Sequence, residues 1–265
     1  MAGPSLFNGK PAHIDVHHHF YPPEFRQAVN EFSGSAMPIV ERWTPEASLE
    51  EMDKGGVSTA ILSLWSIPGV WMGARPEGMR RWARLVNEYA AQMRHDHPGR
   101  FGLFAALPLP DVEGSLAEIE HAFDVLGADG VGLMTNFGDT WPGDPKYRPV
   151  FEELNRHSGG TVPVIAGRTG VLSHFSPRMK EVAPHGVDHE LQRLHYETAN
   201  GYHAPNMAAL MAYVPVSQIM FGTDYPYVSV EANVDGIAKI VSGADLDAIR
   251  SGNALRMFPQ HAVGA

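Results

Sequence analysis

Apolar residues gather into short runs along this chain, and the stretches between the runs carry them at helical spacing. The first run, Ala12 to Val16, ends in polar His, as a buried strand does at its exit. The next, Val57 to Leu64, follows a helical stretch that begins near Pro45 and stops at Gly55-Gly56. From about Pro76 to His95, Met79, Trp82, Leu85, Val86 and Tyr89 recur on one helical face, and this helix leads into a strand from Phe101 to Leu107. A helix over Gly114 to Leu126, a run Gly130 to Met134 and a helix from Asp144 to about Arg156 continue the alternation. A run His195 to Ala199, a helix Pro205 to Tyr213, a strand Gln218 to Thr223 and two helices, Val230 to Val241 and Leu246 to Phe258, complete it.

Strands alternating with helices predict a parallel sheet, and this many units favour a (β/α)8 TIM barrel over a doubly wound sheet. We read residues 1–265 as one such domain. No GxGxxG or Walker loop follows any strand, so nucleotide-binding variants of α/β architecture are set aside. One join breaks the alternation. The helix ending near Arg156 runs through His157-Ser158-Gly159-Gly160 into Thr161 to Gly167, again of helical pattern, with no strand between. Six strands are predicted where the barrel needs eight, which predicts a distorted barrel lacking roughly 50 to 60 residues between about Leu154 and His157. Either the natural chain is shortened there or a segment of it is omitted.

Composition narrows the chemistry. With 44% hydrophobic and 19% charged residues, the chain has the material for a large core and is not of disordered composition. A net charge of −10 argues against a binder of phosphate backbones, so no nucleic-acid partner is expected. The absence of Cys removes disulfides, thiolate nucleophiles and Cys-based zinc sites, so any metal must be held by His, Asp or Glu. Residues 1–20 lack the uninterrupted apolar stretch of a signal peptide, which makes the cytoplasm the default location. No apolar run approaches the length of about 20 residues that a membrane span needs.

Asp15-Val16-His17-His18-His19 stands at the carboxyl end of the first predicted strand, where barrel enzymes place their active sites. Residues two apart in a strand point the same way, so His17 and His19 present two imidazoles to one ion. Asp15, on the same side, would accept the hydrogen bond that fixes one ring. The plain alternative is a surface loop in which the three His are merely polar. Asp224 ends the run IMFGT and precedes Tyr225-Pro226. The last strand of a closed barrel neighbours the first, so Asp224 can reach the same ion; alone, it reads equally as a turn cap. His174, His185, His189, His195 and His203 show no repeated ligand spacing and read as surface or supporting groups, with Glu197 facing the pocket beside His195. Trp65, Trp71 and Met72 would either wall a planar substrate or belong to the core.

Asp15 to Pro22 (DVHHHFYP), His157 to Pro163 (HSGGTVP), Phe221 to Pro226 (FGTDYP) and Asn253 to Phe258 (NALRMF) together resemble the amidohydrolase-related decarboxylases. That group includes the aminocarboxymuconate semialdehyde, γ-resorcylate and 6-methylsalicylate decarboxylases, and the similarity runs through nearly the whole chain in the same order. The resemblance implies a metal-dependent, non-oxidative decarboxylase of a small aromatic or dienoic carboxylic acid on a distorted barrel. It matches His17, His19 and Asp224 to the metal ligands, and it makes His157 and Asp224 the candidate catalytic residues. From the residues alone His157 reads as a helix end capped by Gly159, a preference the resemblance reverses. One divalent ion is expected, zinc first and manganese second, with a small carboxylic acid as partner and a homo-oligomer, dimer or tetramer, as the assembly.

Two departures from the family pattern stand out. The family draws a further His ligand from a fifth strand, in a His-Pro pair, and that part of the barrel falls in the stretch counted as missing. Where the aminocarboxymuconate enzymes carry an Arg for the substrate carboxylate, this chain has Ser48, which moves the expectation toward an aromatic acid. Two other functions remain in view: a metal-dependent hydrolase or hydratase on the same barrel, and a catalytically inactive barrel acting as a binding protein.

Overall fold

A computed structural model describes residues 6–64, 75–134, 137, 139–140, 142–156 and 185–262. The chain opens with an antiparallel pair, β1 (Leu6–Phe7) and β2 (Lys10–Pro11), turned by Asn8 and Gly9 at positive φ. Six further strands follow: β3 (His13–His19), β4 (Val57–Ser63), β5 (Phe101–Ala106), β6 (Gly130–Gly132), β7 (Tyr196–Glu197) and β8 (Ile219–Met220). They coincide with the six predicted runs, and each is trimmed or extended by a few residues. β3 to β6 form one parallel sheet in sequence order, and β7 pairs in parallel with β8. Backbone bonds from Val16 N–H to Phe221 O (3.0 Å) and from His19 N–H to Tyr225 O (2.8 Å) join the two sheets. The wall therefore runs β7-β8-β3-β4-β5-β6, six parallel staves among the described residues, with the first strand at the seam where the last comes round to meet it.

Local rules account for the covering helices. Pro45–Gly55 starts on Thr44, whose hydroxyl accepts the Ala47 N–H at 3.1 Å, and stops at Gly56, which takes φ 74°. Pro76–Asp96 buries Met79, Ala83, Val86, Ala90 and Met93 on one face. The fully buried Asn87 on that helix clasps β5, donating to Ala106 O at 2.9 Å and accepting Ala106 N–H at 2.8 Å. The helix expected from Gly114 begins at Val112, because Asp111 caps it, and passes into a π turn at His121–Val125. The final helix is likewise interrupted by a π segment, Ala248–Gly252. Among the described residues three α-helices were not predicted, Pro23–Ser33, Pro38–Glu41 and Val187–Leu191. The expected helix Thr161 to Gly167 lies outside the described residues.

The main core draws on Phe20, Phe25, Trp43, Met52, Leu62, Phe101, Met207, Phe221 and Ile249, and so ties the first helices to the last. A second cluster around Leu107, Ile119, Phe137, Tyr147 and Val150 packs Arg148–Arg156 under β6. Among the described residues no helix is long and apolar enough to cross a membrane.

Candidate metal centre

β3 carries the DxHxH residues within the strand, since pairing with β4 continues to His19↔Ser63. The alternation expected of Asp15, His17 and His19 is broken by a register shift between Asp15 and His18. As a result Asp15 does not fix a metal-facing ring. Its carboxylate accepts the His17 and Thr223 backbone N–H groups, at 3.0 and 3.1 Å, the Thr223 hydroxyl, and His18 Nδ1–H at 3.0 Å. His18 faces away from the lumen, fully buried, with Nε2 accepting from Ser48 Oγ (3.1 Å) and its ring stacked on Tyr225 at 4.7 Å. Ser48 in turn accepts Trp43 Nε1–H at 3.0 Å. Ser48, which stands where the aminocarboxymuconate enzymes have their Arg, is thus spent on a buried polar chain that pins the seam of the barrel.

His17 and His19 point into the lumen and meet Asp224, which follows β8. His17 Nε2 and His19 Nε2 are 3.2 Å apart, and Asp224 Oδ1 lies 3.4 Å from the first and 3.1 Å from the second. The remaining ring nitrogens fix the tautomers. His17 Nδ1 donates to Glu197 Oε1 at 3.1 Å and His19 Nδ1 donates to Ser63 O at 3.0 Å. Carboxylates and carbonyls only accept, so both Nδ1 atoms carry hydrogen and both Nε2 atoms are the ones aimed at the Asp224 oxygen. In the metal-free protein the extra proton of His17 lies between Nε2 and Asp224 Oδ1, and a metal ion can take its place among the three atoms. A polyhedron face built on zinc–ligand bonds has edges of roughly 2.8 to 3.6 Å, the range these three atoms occupy. The donor set, two imidazoles and a carboxylate, suits zinc or manganese.

Electrostatics point the same way. Burial opposes charge on His17, but hydrogen bonds with Asp224 and Glu197 outweigh it and lift the ring to about 10. Burial likewise works against the Asp224 carboxylate, yet His17, His19 and Asn200 hold it well below the ordinary carboxylate range. Asp224 sits at φ 62°, in the left-handed region, and its second oxygen accepts Asn200 Nδ2–H at 2.6 Å. A cavity of about 260 Å³ opens above the two imidazoles, walled by Leu64, Phe104, Leu107, Leu133 and Met134. Among the described residues its lining contains no Arg or Lys.

His157 lies outside the described residues, as do His174, Trp65, Trp71 and Met72. His185, His189 and His203 are exposed and apart from this cluster. The chain's His-Pro pair, His97-Pro98, joins the helix Pro76–Asp96 to the start of β5, at the opposite end of the strands from the imidazoles. Asn200 was not anticipated from the sequence. Its signal was the Asn200-Gly201 dipeptide after β7, a turn marker that allows positive φ.

The amidohydrolase family model matches residues 14–176 and, in a second pass, 157–260. Decarboxylase yanB of Aspergillus niger is 26% identical over 329 aligned residues, covering 95% of this chain and 89% of that protein. That alignment is longer than the 265 residues of this chain, so the relative carries internal residues with no counterpart here. The 6-methylsalicylic acid decarboxylase of Penicillium expansum is 26% identical over 315 residues, covering 94% of this chain and 97% of its own. A solved dihydroxybenzoic acid decarboxylase from Polaromonas, with bound manganese and 2-nitroresorcinol, superposes with a TM-score of 0.74 at 18% identity, covering 94% and 97% of the two chains.

Proposed function

The chain belongs to the amidohydrolase family, and from that premise we propose that it is a metal-dependent, non-oxidative decarboxylase of a small aromatic carboxylic acid of the salicylate type. The observation that carries the reading is the meeting of three potential ligand atoms, His17 Nε2, His19 Nε2 and Asp224 Oδ1, at the base of an apolar-walled cavity. These residues would hold one divalent ion, zinc by donor chemistry or manganese as in the solved neighbour. When bound, such an ion anchors and polarises the substrate's oxygens as a Lewis acid. With no cation in the described lining, the acid's oxygens have no other positive partner there, while Phe104, Leu107, Leu133 and Met134 suit the faces and an alkyl substituent of a benzene ring.

Direct loss of CO₂ would leave a carbanion on the ring, so the ring carbon must gain a proton before or as the bond breaks. Asp224 is charged at neutral pH and has both oxygens occupied, by the imidazoles and by Asn200. Of the two candidates for handling the proton, His157 and Asp224, we assign delivery to His157, which the family resemblance puts in the site and whose residue type suits proton transfer near neutral pH. The proposal carries with it a homo-oligomeric assembly and a cytoplasmic setting.

The test is a screen of salicylate-like and resorcylate-like acids for CO₂ release by metal-replete protein. Release fastest from an alkyl-bearing salicylate supports the reading. A protein that binds its ion and releases CO₂ from none of them overturns it in favour of a hydrolase, a hydratase or a binding protein.

A further inference from the structure

The short turn after β7 makes two contacts with the candidate ligands, one to each side of the cluster. Glu197, the last residue of β7, accepts His17 Nδ1–H through Oε1, while its Oε2 accepts the Ala199 backbone N–H and is thereby fixed. Three residues on, Asn200 donates to Asp224 Oδ2 at 2.6 Å and leaves Oδ1 alone to face the imidazoles. Asn200 and Asp224 both take positive φ, 55° and 62°. Side chains enter that region at a cost, and here the two residues that bear it are hydrogen-bonded to each other. Gly222, beside them on the neighbouring segment, is also constrained: a Cβ there would run into Glu197 Oε2 and touch His17 Cβ at 3.0 Å. Three positions are therefore shaped to let this turn reach the cluster.

We propose that Glu197 and Asn200 are positioning residues that set the coordination of the ion: Glu197 holds the Nδ1 hydrogen of His17 so that Nε2 is the atom offered to the ion, and Asn200 confines Asp224 to a single ligating oxygen. The inference rests on the reading of His17, His19 and Asp224 as metal ligands. Without Glu197, the His17 hydrogen is free to move to Nε2, where it blocks the ion, and the ring is free to turn about χ2. Without Asn200, Oδ2 is released to swing toward the ion, so Asp224 binds through both oxygens and the coordination number rises. Partners of this kind typically contribute 10- to 100-fold in metal affinity.

The experiment uses the full chain, stripped of metal by a chelator and titrated with Co²⁺ against a competing chromophoric chelator, with the visible absorption of the bound cobalt recorded. The variants are Glu197→Gln, which preserves shape; Asn200→Gly, which accepts the positive φ; and Gly222→Ala, which displaces Glu197 without altering any polar group. Circular dichroism confirms that each is folded. We expect Co²⁺ affinity to fall 10- to 100-fold in Glu197→Gln and Gly222→Ala. In Asn200→Gly the cobalt bands should weaken, as they do when a four-coordinate ion gains a ligand, a change that loss of stability alone would not produce. Wild-type protein that binds no Co²⁺ overturns the metal-site reading itself. Wild-type protein that binds it, beside folded variants of unchanged affinity and spectrum, overturns the positioning role alone.

Discussion

His13 and His17 lie four residues apart on β3, one at the floor of the barrel and one at its mouth, and their surroundings drive them in opposite directions. His13 is 3% exposed, its Nδ1 has no hydrogen-bond partner among the described residues, and burial together with the Arg250 guanidinium pushes it down to about 4. His17 also loses solvation, but Asp224 and Glu197 lift it to about 10. Burial acts on both rings with the same sign, so it cannot be what distinguishes them. What differs is the charge of the nearest partner, cationic at the floor and anionic at the mouth. One end of the strand rejects a cation and the other is arranged to hold one.

The sharpest way to separate the two ends is to remove each ring. His17→Ala should lose the ion altogether, with metal content falling from about one per chain to none and activity with it, whereas His13→Ala should keep the ion and lose stability instead; metal analysis after gel filtration distinguishes them. Removing His157 should leave the ion in place and slow decarboxylation by 10²- to 10⁴-fold, as expected for a proton donor. Wild-type turnover in His157→Ala would return that residue to the role of a helix end.

Acid should act on the floor first. The folded pKa of His13 is depressed, so the neutral form carries its contribution, which is complete above the unfolded value of about 6.5 and is lost as pH falls toward about 4. Urea unfolding between these limits should lose up to about 3 kcal/mol in the wild type, and the slope should flatten in His13→Gln. The smallest effect belongs to the mouth. His17 of the metal-free protein keeps its proton up to about 10, so each ion must displace one. Metal affinity should weaken about tenfold per unit of falling pH near neutrality, with about one proton released per ion, measurable by calorimetry in buffers of different ionisation heat. No proton release would mean that the lone pairs are already free.

Periodicity and punctuation sufficed for the six strands, because each is a buried apolar run between helices of clear spacing. The residues meeting at the mouth were legible for the same reason: DxHxH and Asp224 stand at strand ends, and barrel topology brings those ends together. Asp15 was misread because alternation presumes unbroken register, and the shift before His18 redirects its carboxylate to the seam. The Ser63 carbonyl that orients His19 is backbone and leaves no mark in the letters. The helix Pro23–Ser33 begins after Tyr21-Pro22 with no side-chain cap and buries only Phe25, too faint a stripe to find by spacing.

The Asp224 oxygen that completes the cluster lies 205 residues along the chain from His19. Contacts of such separation form late in folding, since a long stretch of chain must be ordered before they are rewarded. On the proposed reading, an ion held by these residues therefore would not template the early fold in the way a small zinc finger is templated. During synthesis the two imidazoles emerge almost at once, and they wait for the carboxylate until the last strand closes on the first. Tight metal capture would then mark the end of assembly, and a chain stalled before its final strand would be able to touch metal but not to keep it.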